Sequence, residues 1–453
     1  MIAVVTPAEM AAIDAAAPEP FEVLVERAGA AVARRARALL GGTYGRRVVV
    51  IAGRGHNGDD GRVAARRLAA LGVKVRVVAP GEPLPSGEID LVVDAAYGTG
   101  YVARGPLADV PTGGAPVLAV DIPSGVCGLT GVASEGTLAA TETITFAALK
   151  PGLLLHPGRS LAGRVVVADI GLSTTSARAF VVTGDDVAAW LPTRPVDAHK
   201  WRTACLVVAG APGMVGAAAL CTAAAFRAGA GYVRLVAPEG TGSHGLPLEA
   251  VVTSRPVERW AADALHDVDR FAAAVIGPGL GRAATARADV VAFLAGCPVP
   301  AVVDGDALAA LGPDVAEVVR RRVAPTVLTP HDGEFAALTG GPPGADRLEA
   351  ARSLAAETGA VVLLKGPTTV VAAPDGSVAL SLRGDERLAT AGTGDVLAGV
   401  CGALLARGVE ACRAAAAAAW LHGAAAEAGP PAGLVASDLL DLMPTVVPTR
   451  SAT

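Results

Sequence analysis

The chain has 453 residues, too many for one ordinary core and enough for two domains of about 150–270 residues each. Hydrophobic residues make up 52% and charged residues 18%, which argues against disorder and supports large buried cores. A net charge of −5 and a pI near 5.9 argue against a nucleic-acid or membrane-surface protein, so a phosphate group has to be held locally, by backbone N–H groups and a few cations.

The mean hydropathy of +0.48 raises the question of a membrane span. Thr203 to Phe226 carries no charge, but Gly210, Pro212, Gly213 and Gly216 break it into a strand, a loop and a helix start. Met1 to Met10 lacks a basic region followed by an apolar stretch, so a cytoplasmic protein is expected. The six cysteines form no CxxC pair and have no histidine at metal spacing, and they read as reduced and mostly buried.

In chain order, Pro7 to Leu40 reads as helical, with Thr6 placed to cap its start. Short Val/Ile runs follow as strands at 47–52, 73–78, 91–94, 117–121, 143–146 and 165–169. Apolar strands alternating with helices predict a parallel sheet covered on both faces. Around Ser173 to Arg202 the rhythm loosens, and the domain change is placed here. Strands resume at 204–209, 233–237, 274–277, 301–304, 326–329 and 361–365, and the chain closes with Ala-rich helices at 395–406 and 412–427. The two halves share no repeat. The fold class is α/β, with two three-layer α/β/α domains over residues 1–175 and 176–453.

The first constellation follows the strand Val48-Val49-Val50-Ile51-Ala52. Gly53, Gly55 and Gly58 spell GxGxxG ahead of a helix expected from Arg62, the layout that holds a phosphate on helix N–H groups. Against a plain dinucleotide fold, the next strand ends at Ala79-Pro80 with no acid for a ribose, and Asp59 and Asp60 bring negative charge to the turn. Two more strand ends, Asp94 to Gly100 and Asp121 to Gly125, carry polar, glycine-bearing loops expected to converge with the first.

These loops, with Glu26-Arg27-Ala28-Gly29 before them, resemble the NAD(P)H-hydrate epimerase domain, also called the YjeF N-terminal domain. The family's first loop usually reads N-N-G-G-D-G, where this chain has His56-Asn57-Gly58-Asp59-Asp60-Gly61. The resemblance implies a Rossmann-like fold and potassium ligands at Asn57, Asp94 and Ser124. It implies substrate contacts at His56, Asn57, Gly58, Asp59, Asp60, Gly98, Thr99, Gly100, Arg104 and Asp121. Epimerising C6 of a hydrated nicotinamide ring needs proton transfer, and Asp121 is the expected acid/base group. His56 and Asp59 put the efficiency of this half in question.

The second constellation begins with Leu206 to Gly210 and the turn that follows it. Ala391-Gly392-Thr393-Gly394-Asp395 opens an Ala-rich helix, and its glycines suit an anion-binding nest at a positive helix end. Asp395 beside that nest reads as a base. Gly277-Pro278-Gly279-Leu280-Gly281, Asp304-Gly305-Asp306, Pro330-His331-Asp332-Gly333-Glu334, Lys365-Gly366-Pro367-Thr368-Thr369 and Ala436-Ser437-Asp438 complete the set.

Gly-x-Gly-Asp before such a helix resembles the ribokinase-like fold. The whole set resembles the ADP-dependent NAD(P)H-hydrate dehydratase domain, with Asp332 where that family usually has proline and His199-Lys200-Trp201 for its H-K-G. The resemblance implies substrate contacts at Ala217, Gly279, His331 and Asp395, with Asp395 catalytic. ADP contacts fall at Lys365, Gly366, Pro367, Thr368, Thr369 and Gly394, and magnesium is expected with the ADP co-substrate. The implied partners are hydrated NADH or NADPH and ADP, in a homo-oligomer. Three other readings stay open: an ATP-dependent small-molecule kinase in the second half, a non-catalytic binding module in the first, and a plain NAD-dependent oxidoreductase.

Overall fold

The computed structural model describes residues 1–102, 105–239 and 245–449. The chain divides into two compact units, one spanning Ile2–Ala179 and one from Phe180 onward.

In the first unit Thr6 caps the helix Pro7–Ala15 through a capping box: Glu9 N–H donates to Thr6 Oγ1 at 3.2 Å and Thr6 N–H to Glu9 Oε2 at 2.7 Å. Pro18 and Pro20 then break the stretch expected to run on to Leu40, and a second helix spans Phe21–Leu40. Six parallel strands lie in the spatial order Lys74–Val78, Arg47–Ala52, Leu91–Ala95, Val117–Val120, Glu142–Phe146 and Arg164–Ala168. Arg47–Ala52, the earliest of the six in the chain, has its successors on both sides, so the strand order reverses there and opens a crevice at the strands' carboxyl ends.

The helix after this strand runs His56–Ala70, six residues earlier than the glycines suggested. Gly58 and Gly61 read as loop residues but serve close packing. A side chain at Gly58 would overlap the Gly53 carbonyl, and one at Gly61 would lie 2.6 Å from the Ala95 methyl. The helix seats itself on the sheet through those bare positions.

In the second unit the strands lie in the order Val378–Ser381, Thr369–Ala372, Val361–Leu364, Thr326–Leu328, Ala301–Val303, Ala273–Ile276, Ala204–Val208, Tyr232–Pro238 and Val251–Arg255. From Val361–Leu364 to Val251–Arg255 every pair is parallel, and the other two strands are antiparallel. The purely parallel sheet expected from the sequence is corrected at this edge. Only Lys365 to Thr368 joins Val361–Leu364 to the next strand. A parallel crossover takes about a dozen residues or more, so so short a link forces a hairpin. Here too the strand order reverses, between Ala204–Val208 and Ala273–Ile276.

The helix Thr393–Ala406 buries 12 of its 14 residues, between Val215–Arg227 and the sheet. Its small residues permit that: Gly399 abuts the Cys221 carbonyl and Gly402 abuts Val275. None of the six cysteines is in a disulfide, and Cys205, Cys221, Cys297 and Cys401 are buried. Burial pushes the Cys205 and Cys412 thiols up to about 12. Among the described residues no helix is long and apolar enough to cross a membrane.

Candidate functional site

The first unit carries a cavity of about 540 Å³ at the carboxyl ends of its strands. His56, Asn57, Asp60, Gly98, Thr99, Gly100 and Asp121, all expected from the sequence, line it. Gly58 and Asp59 are not among its lining residues: Gly58 packs on Gly53, and Asp59 pairs with Arg62 at 2.9 Å. The charge expected beside the substrate from Asp59 is therefore turned aside by a neighbour one helical turn on. Arg104 lies outside the described residues. His56 stacks against Phe21, with ring centroids 4.3 Å apart.

Asp121 stands at the end of Val117–Val120 in a left-handed conformation, φ +66°. Its Oδ1 lies 2.8 Å from Lys150 Nζ and accepts from Thr145 Oγ1 at 3.0 Å, while Oδ2 accepts from Thr99 N–H at 3.3 Å. Burial alone would raise its pKa, but the Lys150 ammonium and these donors outweigh it and hold Asp121 below the ordinary carboxylate value. Asp60 is the opposite case. Burial, with Asp121, Asp59 and Asp14 as like charges, pushes it up to about 8.

Asp94 and Ser124 are buried together beside this cavity, on the wall of an adjoining one of about 220 Å³. Ser124 Oγ donates to Asp94 Oδ1 at 2.6 Å and Ser124 N–H to Asp94 Oδ2 at 2.8 Å. Burial raises the Asp94 pKa against these bonds. Asn57 is buried with neither carboxamide atom hydrogen-bonded. An orphaned buried amide of this kind points to a ligand.

Two residues at this site escaped the sequence reading. Asp14, on the first helix, and Lys150 both line the cavity. Lys150 had a signal: it is the only charged residue between Thr143 and Leu155. Asp14 had none, since the helix pattern alone accounts for it.

In the second unit the expected residues also gather at the carboxyl ends of the strands. Gly279, φ +54°, lies against Ala217 at the start of Val215–Arg227; an added Cβ would sit 2.7 Å from the Ala217 methyl. His331 caps the helix Asp332–Thr339, its Nδ1 accepting from Gly333 and Glu334 N–H at 3.0 and 3.1 Å. That network assigns the ring proton to Nε2, which lies 3.6 Å from Glu334 Oε1.

Lys365 donates to Asp304 Oδ1 at 2.9 Å and lies 3.5 Å from Glu334 Oε2. Burial opposes its charge, but the two carboxylates prevail and raise its pKa. Gly392, φ +89°, caps Thr393–Ala406 in a conformation that suits glycine. An added Cβ on Gly394 would lie 3.6 Å from Lys365 Nζ, and one on Gly392 4.0 Å from Asp395 Oδ2, so the glycine nest sits between a cation and a carboxylate. Burial first, then the Asp304 charge, pushes Asp395 up to about 7.

Of the ADP-loop residues, Thr368 is buried and Thr369 begins a strand. Arg347, which the sequence reading missed, clamps the loop's start. It grips Asp332 with two bonds of 2.8 and 3.0 Å and the Lys365 carbonyl with a third of 2.8 Å. His199, Lys200 and Trp201 instead lie ahead of Ala204–Val208, at the end of that strand away from Gly210.

Glycine-capped helix starts beside tuned carboxylates, at the reversal point of two α/β sheets, define a two-site enzyme for phosphate-bearing ligands. The family model for NAD(P)H-hydrate dehydratase matches residues 205–445, and that for the YjeF-related protein N-terminus matches 21–87 and 80–152. A Salinibacter ruber protein named bifunctional NAD(P)H-hydrate repair enzyme is 37% identical over 95% of this chain and 93% of its own. An Escherichia coli protein of the same name is 33% identical over 88% of this chain and 84% of its own. The solved ADP/ATP-dependent NAD(P)H-hydrate dehydratase of Bacillus subtilis, co-crystallised with ATP and magnesium, aligns at a TM-score of 0.51 and 32% identity over 58% of this chain and 96% of that one. The chain belongs to the family of bifunctional NAD(P)H-hydrate repair enzymes.

Proposed function

We propose that the chain repairs hydrated NADH and NADPH at two sites, residues 1–175 interconverting the R and S epimers and residues 176–453 dehydrating the S epimer with ADP. The observation that carries this reading is Asp395: a carboxylate with a pKa near 7 beside a glycine nest and Lys365.

In the dehydratase reaction Asp395 takes the proton from the ring hydroxyl, whose oxygen attacks the β-phosphorus of ADP. The bond to the bridging oxygen breaks and AMP leaves. Lys365 and the N–H groups of the nest hold the phosphoryl oxygens. The ring nitrogen lone pair then expels phosphate from C6 and a ring proton is lost, which restores the reduced nicotinamide. Water is a poor leaving group and phosphate a good one. Magnesium, where bound with the nucleotide, would neutralise phosphate charge.

In the epimerase site Asp121, kept ionised by Lys150, is the base, and Asp60, protonated near neutrality, is the acid. A potassium ion fits Asn57, Asp94 and Ser124, because the Asn57 amide is unpaired and Asp94 is a buried carboxylate without a cation partner among the described residues. Bound there, potassium supplies a fixed positive charge that orders the three loops.

The test follows NADPH regeneration from a mixture of both hydrate epimers with ADP and magnesium. Wild type consumes both epimers. Asp121→Ala stops when the S epimer is spent, and Asp395→Ala makes no NADPH. A wild type that already stops at the S epimer would remove the epimerase half of the reading. No NADPH with ADP would remove the dehydratase half.

A further inference from the structure

The second unit has a cavity of about 400 Å³ unrelated to the proposed catalytic residues. Thr203, which lines it, directly precedes the strand Ala204–Val208, and Ala228 and Gly229 precede Tyr232–Pro238. It therefore opens at the amino ends of the strands. Gly210, Gly279 and Asp395 belong to the carboxyl ends, about 16 Å away across a five-residue strand.

Arg194, Arg202, Arg227, Arg407 and His199 stand on its wall, and among the described residues no carboxylate does. Two of the arginines have acid partners outside the wall: Arg202 pairs with Asp197 at 3.2 Å and Arg227 with Asp441 at 2.7 Å, and both acids are largely exposed. Such exposed pairs are weak and exchange readily for a better anion. Arg194 makes no hydrogen bond or ion pair among the described residues.

Arg407 is the most informative. It is partly buried, and its guanidinium bonds only the carbonyls of Ala228 and Pro192, at 3.1 and 2.9 Å. It has no carboxylate partner among the described residues, and burial lowers its pKa. Two helices end here, Val215–Arg227 and Thr393–Ala406, and their negative ends draw cations. The two carbonyl bonds of Arg407 account for that attraction once. They leave Arg194, Arg202 and His199 on the same wall with no such task. The remaining wall is mostly apolar and includes Leu191, Leu421 and Met443.

We propose that this cavity is a second, non-catalytic site for a small organic phosphate: its anionic group meets Arg194 and Arg202, and its apolar part rests on Leu191, Leu421 and Met443. The volume suits a single small molecule and is too small for a dinucleotide. The occupant touches the C-terminal ends of the two helices whose first turns carry Ala217 and Asp395.

AMP is the probe, because it joins one phosphate to one flat base. The full chain is first saturated with ADP to fill the catalytic nest, and AMP is then titrated calorimetrically, with inorganic phosphate in a parallel arm to read the anion alone. AMP binds the ADP-saturated wild type, and R194A/R202A weakens it tenfold or more while leaving ADP affinity unchanged. Arg194→Ala alone, which removes no hydrogen bond or ion pair among the described residues, weakens AMP in the same direction. No AMP binding to the ADP-saturated protein, or equal affinity in wild type and R194A/R202A, overturns the proposal. Because ADP affinity is read in the same series, a failure of the dehydratase assignment would show there and not in the AMP arm.

Discussion

A base that takes a proton from an alcohol near pH 7 works best with a pKa close to that pH, and an exposed aspartate has one near 4. Asp395 closes the gap by burial and by its neighbour Asp304, and reaches about 7. Dehydration is therefore expected to rise with pH through about 7 and level off above it. Asp304→Asn removes the second-largest cause of the shift, so the rising limb moves to lower pH even as the loss of Lys365's partner lowers the plateau; a pH–rate profile of both proteins reads this. At the other site Lys150 does the reverse for Asp121. Lys150→Met keeps the bulk and removes the charge. Burial then opposes only the Thr145 and Thr99 donors and shifts Asp121 toward its neutral form, so epimerisation falls about 100-fold, measured with ADP absent by following the two epimers chromatographically.

Elements set what those residues can reach. Alanine in place of glycine normally favours a helix by about 1 kcal/mol. At Gly402 the added methyl would overlap Val275, so Gly402→Ala is expected to destabilise the protein by about 1–3 kcal/mol, read as a lower melting midpoint. The helix Arg347–Thr358 contributes the arginine that ties Asp332 to the ADP loop. Arg347→Ala loses a charged hydrogen bond of roughly 1.5 kcal/mol at that loop, which raises the KM for ADP about tenfold. A purely structural role would lower the melting midpoint and leave KM alone.

What the sequence disclosed of these elements follows from burial. Strands such as Val48 to Ala52 or Leu206 to Val208 are apolar on both faces and stand out, and the loops at their ends led to both sites. Val251–Arg255 is an edge strand with four exposed residues, so it lacks that pattern. The helix start at His56 was hidden because glycines that look like a turn were needed for packing. Arg347 and Asp14 reach their sites from helices whose sequence gives no sign of it. Such contacts are made by the fold, and no spacing along the chain encodes them.

At the scale of the whole molecule the tuned carboxylates make stability depend on pH. Asp60 and Asp395 have folded values of about 8 and 7 against 3.8 for the free side chain, so the native state keeps protons that the unfolded chain releases. The slope of stability against pH from these two groups is therefore negative between about 4 and 8. Asp60→Asn fixes the neutral form. It is expected to raise the melting midpoint by about 2–4 °C at pH 9 and to change it little at pH 3, where Asp60 is protonated in the folded and the unfolded chain alike.

The buried thiols give a different handle on the same molecule. Cys205, Cys221 and Cys401 lie deep in the second unit, around the helix that carries Asp395. Only thiolate reacts with disulfide reagents, and burial suppresses thiolate there. Each of these side chains is silent while the core is shut and reactive when it opens, so the rate of labelling counts opening events. The second unit thus carries its own built-in clock for breathing of the dehydratase core, legible without any added probe, and a ligand that tightens that helix would slow it.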